Sequence, residues 1–210
     1  MEKEVRRNNE PDYQKYNHPF RYYSGSCICL GTVHDITLDP IAQAQEAAAT
    51  KTYQEVYPDA ASFDEPQELA DAVTAAADSI SEWGFGKVTI NDAKEALDAS
   101  GNQIGYLITS TSAESYGGNV QIAVGITNEG ELTGIGFLSI SDTPGLGMRA
   151  KEPDFKDQFI GKKAENLEVT KTGASADNQI EAISGATITS KAVTNATDAA
   201  IYFVANCLAQ

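Results

Sequence analysis

Three strand-length stretches separated by short polar breaks constrain this chain's fold more than any other feature. They are Gln103–Thr111 (QIGYLITST), Asn119–Thr127 (NVQIAVGIT) and Leu132–Ile140 (LTGIGFLSI). Each is rich in β-branched or aromatic residues, which suit a pleated surface. In the second, Val120, Ile122, Val124 and Ile126 alternate with Asn, Gln, Ala and Gly, the period of a strand with one apolar face. The pattern predicts a half-buried strand. Asn128-Glu129-Gly130 is a short break with a glycine free to take positive φ, so the second and third stretches should pair as an antiparallel hairpin.

Helical signals flank this sheet pattern. Asp39-Pro40 combines a capping residue with a proline suited to the first helical position, ahead of the Ala- and Gln-rich run Ile41–Val56, which Tyr57-Pro58 closes. Glu65–Ser81 places Leu69, Val73 and Ala76 on one amphipathic face. After the third strand comes a turn-rich loop, Asp142 to Gly147, then a helix from Pro153 through Phe155, Phe159 and Ile160 that Gly161 stops. Leu167–Thr170 reads as a short strand and Lys171–Asn178 as a polar connection. A last helix spans about Ser190 to Leu208, with Val193, Ala196, Ala200, Val204 and Cys207 along one face. The expected fold is α+β: an antiparallel sheet packed with helices, one domain over residues 35–210 with a C-terminal helix, and an irregular arm over 1–34. The chain has no internal repeat.

Charge narrows the function. The 210 residues hold 15 Lys and Arg against 30 Asp and Glu, a formal net charge of -15. Residues 41–210 carry most of it, with 10 basic residues against 24 acidic ones. Phosphate contacts need Lys and Arg, so no nucleic-acid partner is expected. Cys27, Cys29 and Cys207 make no disulfide framework, and a Cys-x-Cys pair lacks the second ligand pair of a metal site, so no metal site is expected. His18 and His34 both lie in the arm, which leaves no histidine to serve as a catalytic base in the domain. The longest run free of Asp, Glu, Lys and Arg, Ala99 to Ala113, is half polar, whereas a spanning helix needs about 18 or more apolar residues. Arg6 and Arg7 lead into polar residues, which does not match a secretory signal. Read literally, the chain is soluble.

The stretch that bears chemistry is Ser184 to Ser190. Four hydroxyl residues surround Gly185-Ala186 directly before a helix, whose first turn presents unpaired N–H groups and a partial positive charge. Such an end accommodates phosphate. Gly185 lets the backbone turn tightly, Thr187 offers a hydroxyl, and Lys191 can add a charge-assisted contact. Spacing alone favours a plain helix cap by Thr189 or Ser190 over a phosphate site.

Ser184-Gly185-Ala186-Thr187, continued by Ile-Thr-Ser-Lys-Ala-Val, resembles the flavinylation motif of the FMN-binding domain family. That family includes the G subunit of the Rnf complex and the C subunit of the sodium-translocating NADH:quinone reductase. Tyr116-Gly117-Gly118, the loop Thr143-Pro144-Gly145-Leu146-Gly147, and Phe155 through Phe159-Ile160-Gly161-Lys162 follow in the family's order and spacing, and the resemblance covers roughly residues 35–208. Ile188-Thr189-Ser190-Lys191 is closer to the Rnf branch. The resemblance implies FMN joined through its phosphate to Thr187 by a flavin transferase, with Ser184, Gly185, Ala186, Thr189, Ser190, Lys191, Tyr116 and the loop Thr143, Pro144, Gly145, Leu146, Gly147 around it. It implies an electron-transfer subunit of a ferredoxin:NAD oxidoreductase coupled to Na+ or H+ translocation. Such a protein would work among other Rnf subunits in the cytoplasmic membrane, its domain on the extracytoplasmic side, without turning over alone. A relay like that of the quinone reductase and a non-redox binding or assembly module are the alternatives. The chain departs from the family in two places. Glu181 stands where an Asp usually lies six residues before the modified Thr, and residues 1–30 show no apolar run where the family has a membrane-spanning helix.

Overall fold

The strand pattern becomes an antiparallel meander in the computed structural model, which describes residues 44–163 and 166–208. Five strands lie in chain order: β1 (Ser62–Asp64), β2 (Val88–Leu97), β3 (Gln103–Ser115), β4 (Gly118–Thr127) and β5 (Leu132–Ile140). Each pairs antiparallel with the next. The β4–β5 hairpin closes as its turn sequence predicts, with Gly130 N–H donating to Thr127 O (2.9 Å). A separate parallel pair joins β6 (Glu168–Thr170) to β7 (Gln179–Glu181). The helices are α1 (residues 44–56), α2 (Gln67–Ala77), the short α3 (Pro153–Lys156) and α4 (Thr187–Phe203), which runs on as a π turn over Val204–Leu208.

Helices α2 and α4 pack on the sheet face lined by Ile90, Ile108, Ile122, Val124 and Ile126. The body of α4 is made of small and hydroxyl residues, and this lets it lie close to β3: Ser110 Oγ donates to Ala196 O (2.9 Å) across the buried contact. Thr194 and Thr197 satisfy their hydroxyls within the helix, on Ser190 O and Val193 O. Buried polar side chains need such partners.

The opposite sheet face is covered too, which corrects the expectation of a half-buried β4. Ala123 is fully buried between Leu107 and Val56, the last residue of α1. Residues on that face are small because the helix end comes very near. A Cβ at Gly136 would stand 2.6 Å from Val56 Cγ2, and Thr133 Oγ1 donates to Val56 O (2.7 Å).

Other boundaries also move. Strand β2 carries no strand signal in Asn91-Asp92-Ala93-Lys94-Glu95-Ala96, because a register shift between Ile90 and Asp92 breaks its alternation. It becomes a strand by pairing on both edges. The helix expected from Pro153 to Ile160 is α3 followed by a 3-10 turn over Asp157–Phe159, with Phe155 and Phe159 buried and Ile160 exposed. The arm 1–34, Cys27, Cys29 and the Asp39-Pro40 helix start lie outside the described residues. Residues 48–210 form a compact unit of their own. Among the described residues, no helix is long and apolar enough to cross a membrane.

Candidate functional site

Helix α4 begins three residues before the sequence pattern suggests, so Thr187 is its first residue and Ala186 its N-cap. The cap residue offers no side-chain acceptor, and no acidic residue sits in the first turn. The hydroxyls that looked like caps do other work. Ser190 is buried; its Oγ accepts from Ile183 N–H (3.0 Å) and donates to Ala186 O (3.0 Å), which holds the Ile183–Ala186 turn closed. Gly185 takes φ +79° in that turn, a conformation costly for any residue with a Cβ. The first intrahelical bond runs from Ser190 N–H to Ala186 O (3.0 Å), so the N–H groups of Thr187, Ile188 and Thr189 precede the helix ladder.

Thr189 reaches across the chain. Its Oγ1 donates to Asp142 Oδ2 (2.6 Å), which also accepts from Ser115 Oγ (2.9 Å) at the end of β3. Asp142 Oδ1 accepts from Thr143 N–H (2.7 Å), and the Gly117 N–H adds a fourth bond. Desolvation is the largest single influence on this carboxyl and pushes its pKa up, but the four hydrogen bonds together hold it below the usual carboxylate range. It is ionised at neutral pH. Gly147 must lack a Cβ here, since one would overlap the Asp142 carboxyl group.

These contacts fold the Thr143–Gly147 loop against the first turn of α4 and leave a cleft of about 470 Å³ between them. Tyr116, Asp142, Thr143, Leu146, Gly147, Gly185, Ala186, Thr187, Ile188 and Thr189 line it. Three of the five large apolar residues exposed on the described surface stand here: Tyr116 at 73 %, Ile188 at 55 % and Leu146 at 42 %. Leu146 also packs over Gly185, whose added Cβ would meet Leu146 Cδ2 at 3.1 Å. Thr187 is half-buried, and its hydroxyl makes no hydrogen bond among the described residues.

The structure thus gathers Tyr116, Thr143, Leu146, Gly147, Gly185, Ala186, Thr187 and Thr189 of the expected site. It does not gather all of it. Ser184 opens on a neighbouring groove beside Arg149, Glu152 and Glu181. Pro144 and Gly145 are exposed on the loop, Ser190 is buried beneath the turn, and Lys191 stands exposed outside the cleft lining. Asp142, Ser115 and Ile188 are the residues that sequence reading passed over. A carboxylate directly before Thr143-Pro144 was visible, but only as a turn residue.

The comparisons with known proteins fall on this same region. The family model for the FMN-binding domain matches residues 115–202, a span that contains every residue lining the cleft. The G subunit of the Na(+)-translocating ferredoxin:NAD(+) oxidoreductase complex of Acetobacterium woodii is 34 % identical over 189 residues, covering 86 % of this chain and 86 % of the relative. The chain belongs to the G-subunit family of ion-translocating oxidoreductase complexes. Another member, the G subunit of the proton-translocating ferredoxin:NAD(+) oxidoreductase complex of Clostridium ljungdahlii, is 35 % identical over 126 residues, 55 % of this chain and 67 % of the relative. A solved structure, Shewanella oneidensis NqrC, superposes with TM-score 0.46 and 18 % identity over 56 % of this chain and 61 % of that one.

The cleft of this G-subunit family member fits FMN by its own chemistry. Its volume lies in the roughly 300–1,000 Å³ range of small-molecule sites. Tyr116, Leu146 and Ile188 offer apolar surface for a ring system, and the free N–H groups of the α4 first turn suit a phosphate. No Lys or Arg is among the lining residues, which leaves phosphate binding to backbone N–H groups and the helix dipole.

Proposed function

We propose that this chain is an electron-transfer subunit of a membrane-bound Rnf-type ferredoxin:NAD oxidoreductase coupled to Na+ or H+ translocation. It would carry FMN esterified through its phosphate to Thr187 Oγ1. The observation that carries this reading is the position of Thr187: a hydroxyl without a partner among the described residues, on the first residue of α4, opening on a cleft rimmed by Tyr116, Leu146 and Ile188. Family membership supports it.

FMN supplies the redox chemistry when bound. The chain's residues hold it in place. The Thr187 hydroxyl would be the attachment atom, and N–H groups of the first turn of α4 would hold the phosphate. Leu146, Tyr116 and Ile188 would offer the ring an apolar surface, and the Thr143–Gly147 loop sets the cleft width. A covalent ester removes dissociation, which suits a relay that changes charge at every turnover. The other members of the complex and a flavin transferase are the partners this reading requires, with the domain on the extracytoplasmic side of the membrane.

The test is coexpression with a working flavin transferase, followed by denaturation. A yellow polypeptide with an FMN mass increment on the Thr187 peptide is the expected result. A colourless, unmodified chain would leave the segment as a structural helix start and support the binding or assembly module instead.

A further inference from the structure

Asp142 is absent from the set of cleft residues that the family resemblance implies, yet more of the cleft depends on it than on any other side chain there. Its carboxylate takes donors from three separate parts of the chain: Ser115 and Gly117 from the β3–β4 hairpin, Thr143 from the loop, and Thr189 from α4. Helix α4 has no side-chain cap and no acid in its first turn, so Asp142 brings from outside the negative charge that a helix N-terminus attracts. Gly147 keeps clear the space the carboxylate occupies. The carboxylate also forms part of the cleft wall together with Leu146 and Thr187.

We propose that Asp142 is a positioning residue with two linked effects: it clamps the Thr143–Gly147 loop to the first turn of α4, and it fixes a full negative charge in the wall of the flavin cleft, lowering the reduction potential of the FMN held there. The second effect rests on the Thr187 reading. Reduction adds electrons, and a fixed anion nearby opposes that gain. Charge in a half-buried cleft is screened less than the acidic residues spread over the surface. The hydrogen bonds that keep Asp142 ionised make the charge constant across the physiological range.

Asp142→Asn tests it, because the amide keeps the shape and its Nδ2 can donate to the hydroxyl oxygens of Ser115 and Thr189. Flavin content after denaturation is measured first, then the midpoint potential of the FMN-loaded protein between about pH 5 and 8. The expected result is a retained flavin with a potential raised throughout that range. In parallel, amide hydrogen exchange over residues 143–147 is followed on flavin-free wild type and on Thr189→Val, which removes one hydroxyl and keeps the charge. Faster exchange in the variant supports the clamp. Flavin bound to Asp142→Asn at an unchanged potential overturns the electrostatic effect, and unchanged exchange in Thr189→Val overturns the clamp. A wild type without flavin counts against the Thr187 reading, while the exchange comparison still decides the clamp. If Asp142→Asn does not fold, Asp142→Ser, which also removes the charge but keeps a hydroxyl at the site, takes its place in the potential measurement; a potential identical to wild type then overturns the electrostatic effect, while the Thr189→Val exchange comparison still decides the clamp.

Discussion

The two ends of α4 obey different rules. From Ala192 to Phe203 the helix is almost entirely buried, and the buried hydroxyls and carboxyl of that body have partners inside the protein: Thr194 and Thr197 on their own helix, Asp198 on Leu167 N–H (2.9 Å). Its first turn is the reverse. Thr187 and Ile188 face the cleft, the N-cap offers no acceptor, and the charge that complements the helix end comes from Asp142, 45 positions before Thr187 in the chain. One element therefore serves as core at one end and as site at the other. Packing specifies its body, and a ligand-sized gap specifies its start. Substitutions at the two ends should therefore separate stability from flavin binding.

The largest effect belongs to the buried end. Phe203→Ala removes a fully buried ring and should cost about 3–5 kcal/mol in urea denaturation, a large share of the roughly 5–15 kcal/mol that holds a typical domain folded. If the loss were small, α4 would not be the core element that its burial implies. Asp198 gives a pH-dependent counterpart. Burial raises its pKa to about 7 against an ordinary value of 3.8, with the Leu167 hydrogen bond opposing in part. The folded state therefore holds a proton that the unfolded chain releases, and stability should fall as pH rises from about 4 to about 7, by up to about 4 kcal/mol. Asp198→Asn keeps an acceptor for Leu167 N–H, so comparing its denaturation midpoints at pH 5 and pH 8 should give a gap smaller than the wild type's. An equal gap would locate the pH dependence elsewhere.

At the junction of the two ends, Ser190→Ala leaves the Ile183 N–H without its partner and should cost about 1–3 kcal/mol. Because Ser190 also closes the turn before Thr187, the variant should incorporate less FMN than wild type at equal expression. The smallest stability effect is expected at Thr187→Ala, within about 0.5 kcal/mol, combined with complete loss of covalent flavin. Global unfolding of that variant would show that the first turn belongs to the core after all.

The sheet was legible because its signals are local. The stretch Leu132–Ile140 matches β5 residue for residue, and Val120, Ile122, Val124 and Ile126 face the core as their alternation indicates. Strand β2 was not legible. Its second half reads as helix-forming residues, and a bulge after Ile90 spoils the period, so only pairing with β1 and β3 makes it a strand. The second buried face of β4 was hidden for a related reason. Ala123 and Gly125 look like solvent-side residues in a list of letters, but their small size admits the end of α1.

The site divides in the same way. Ser184-Gly185-Ala186-Thr187 and the Thr143–Gly147 loop could be named as site segments through the family resemblance, whereas residue types and spacing alone read them as a helix cap and a turn. Lys191 could be named but not placed, and it lies outside the cleft lining. The class of fold, the β4–β5 hairpin and the hydroxyl-rich segment Ser184 to Ser190 follow from short-range patterns, since each depends on residues within a few positions of one another. The start of α4, the burial of Ser190 and the place of Asp142 depend on contacts between segments far apart in the chain. No periodicity records those contacts, because a hydrogen bond such as Thr189 to Asp142 exists only once the sheet has brought its two ends together.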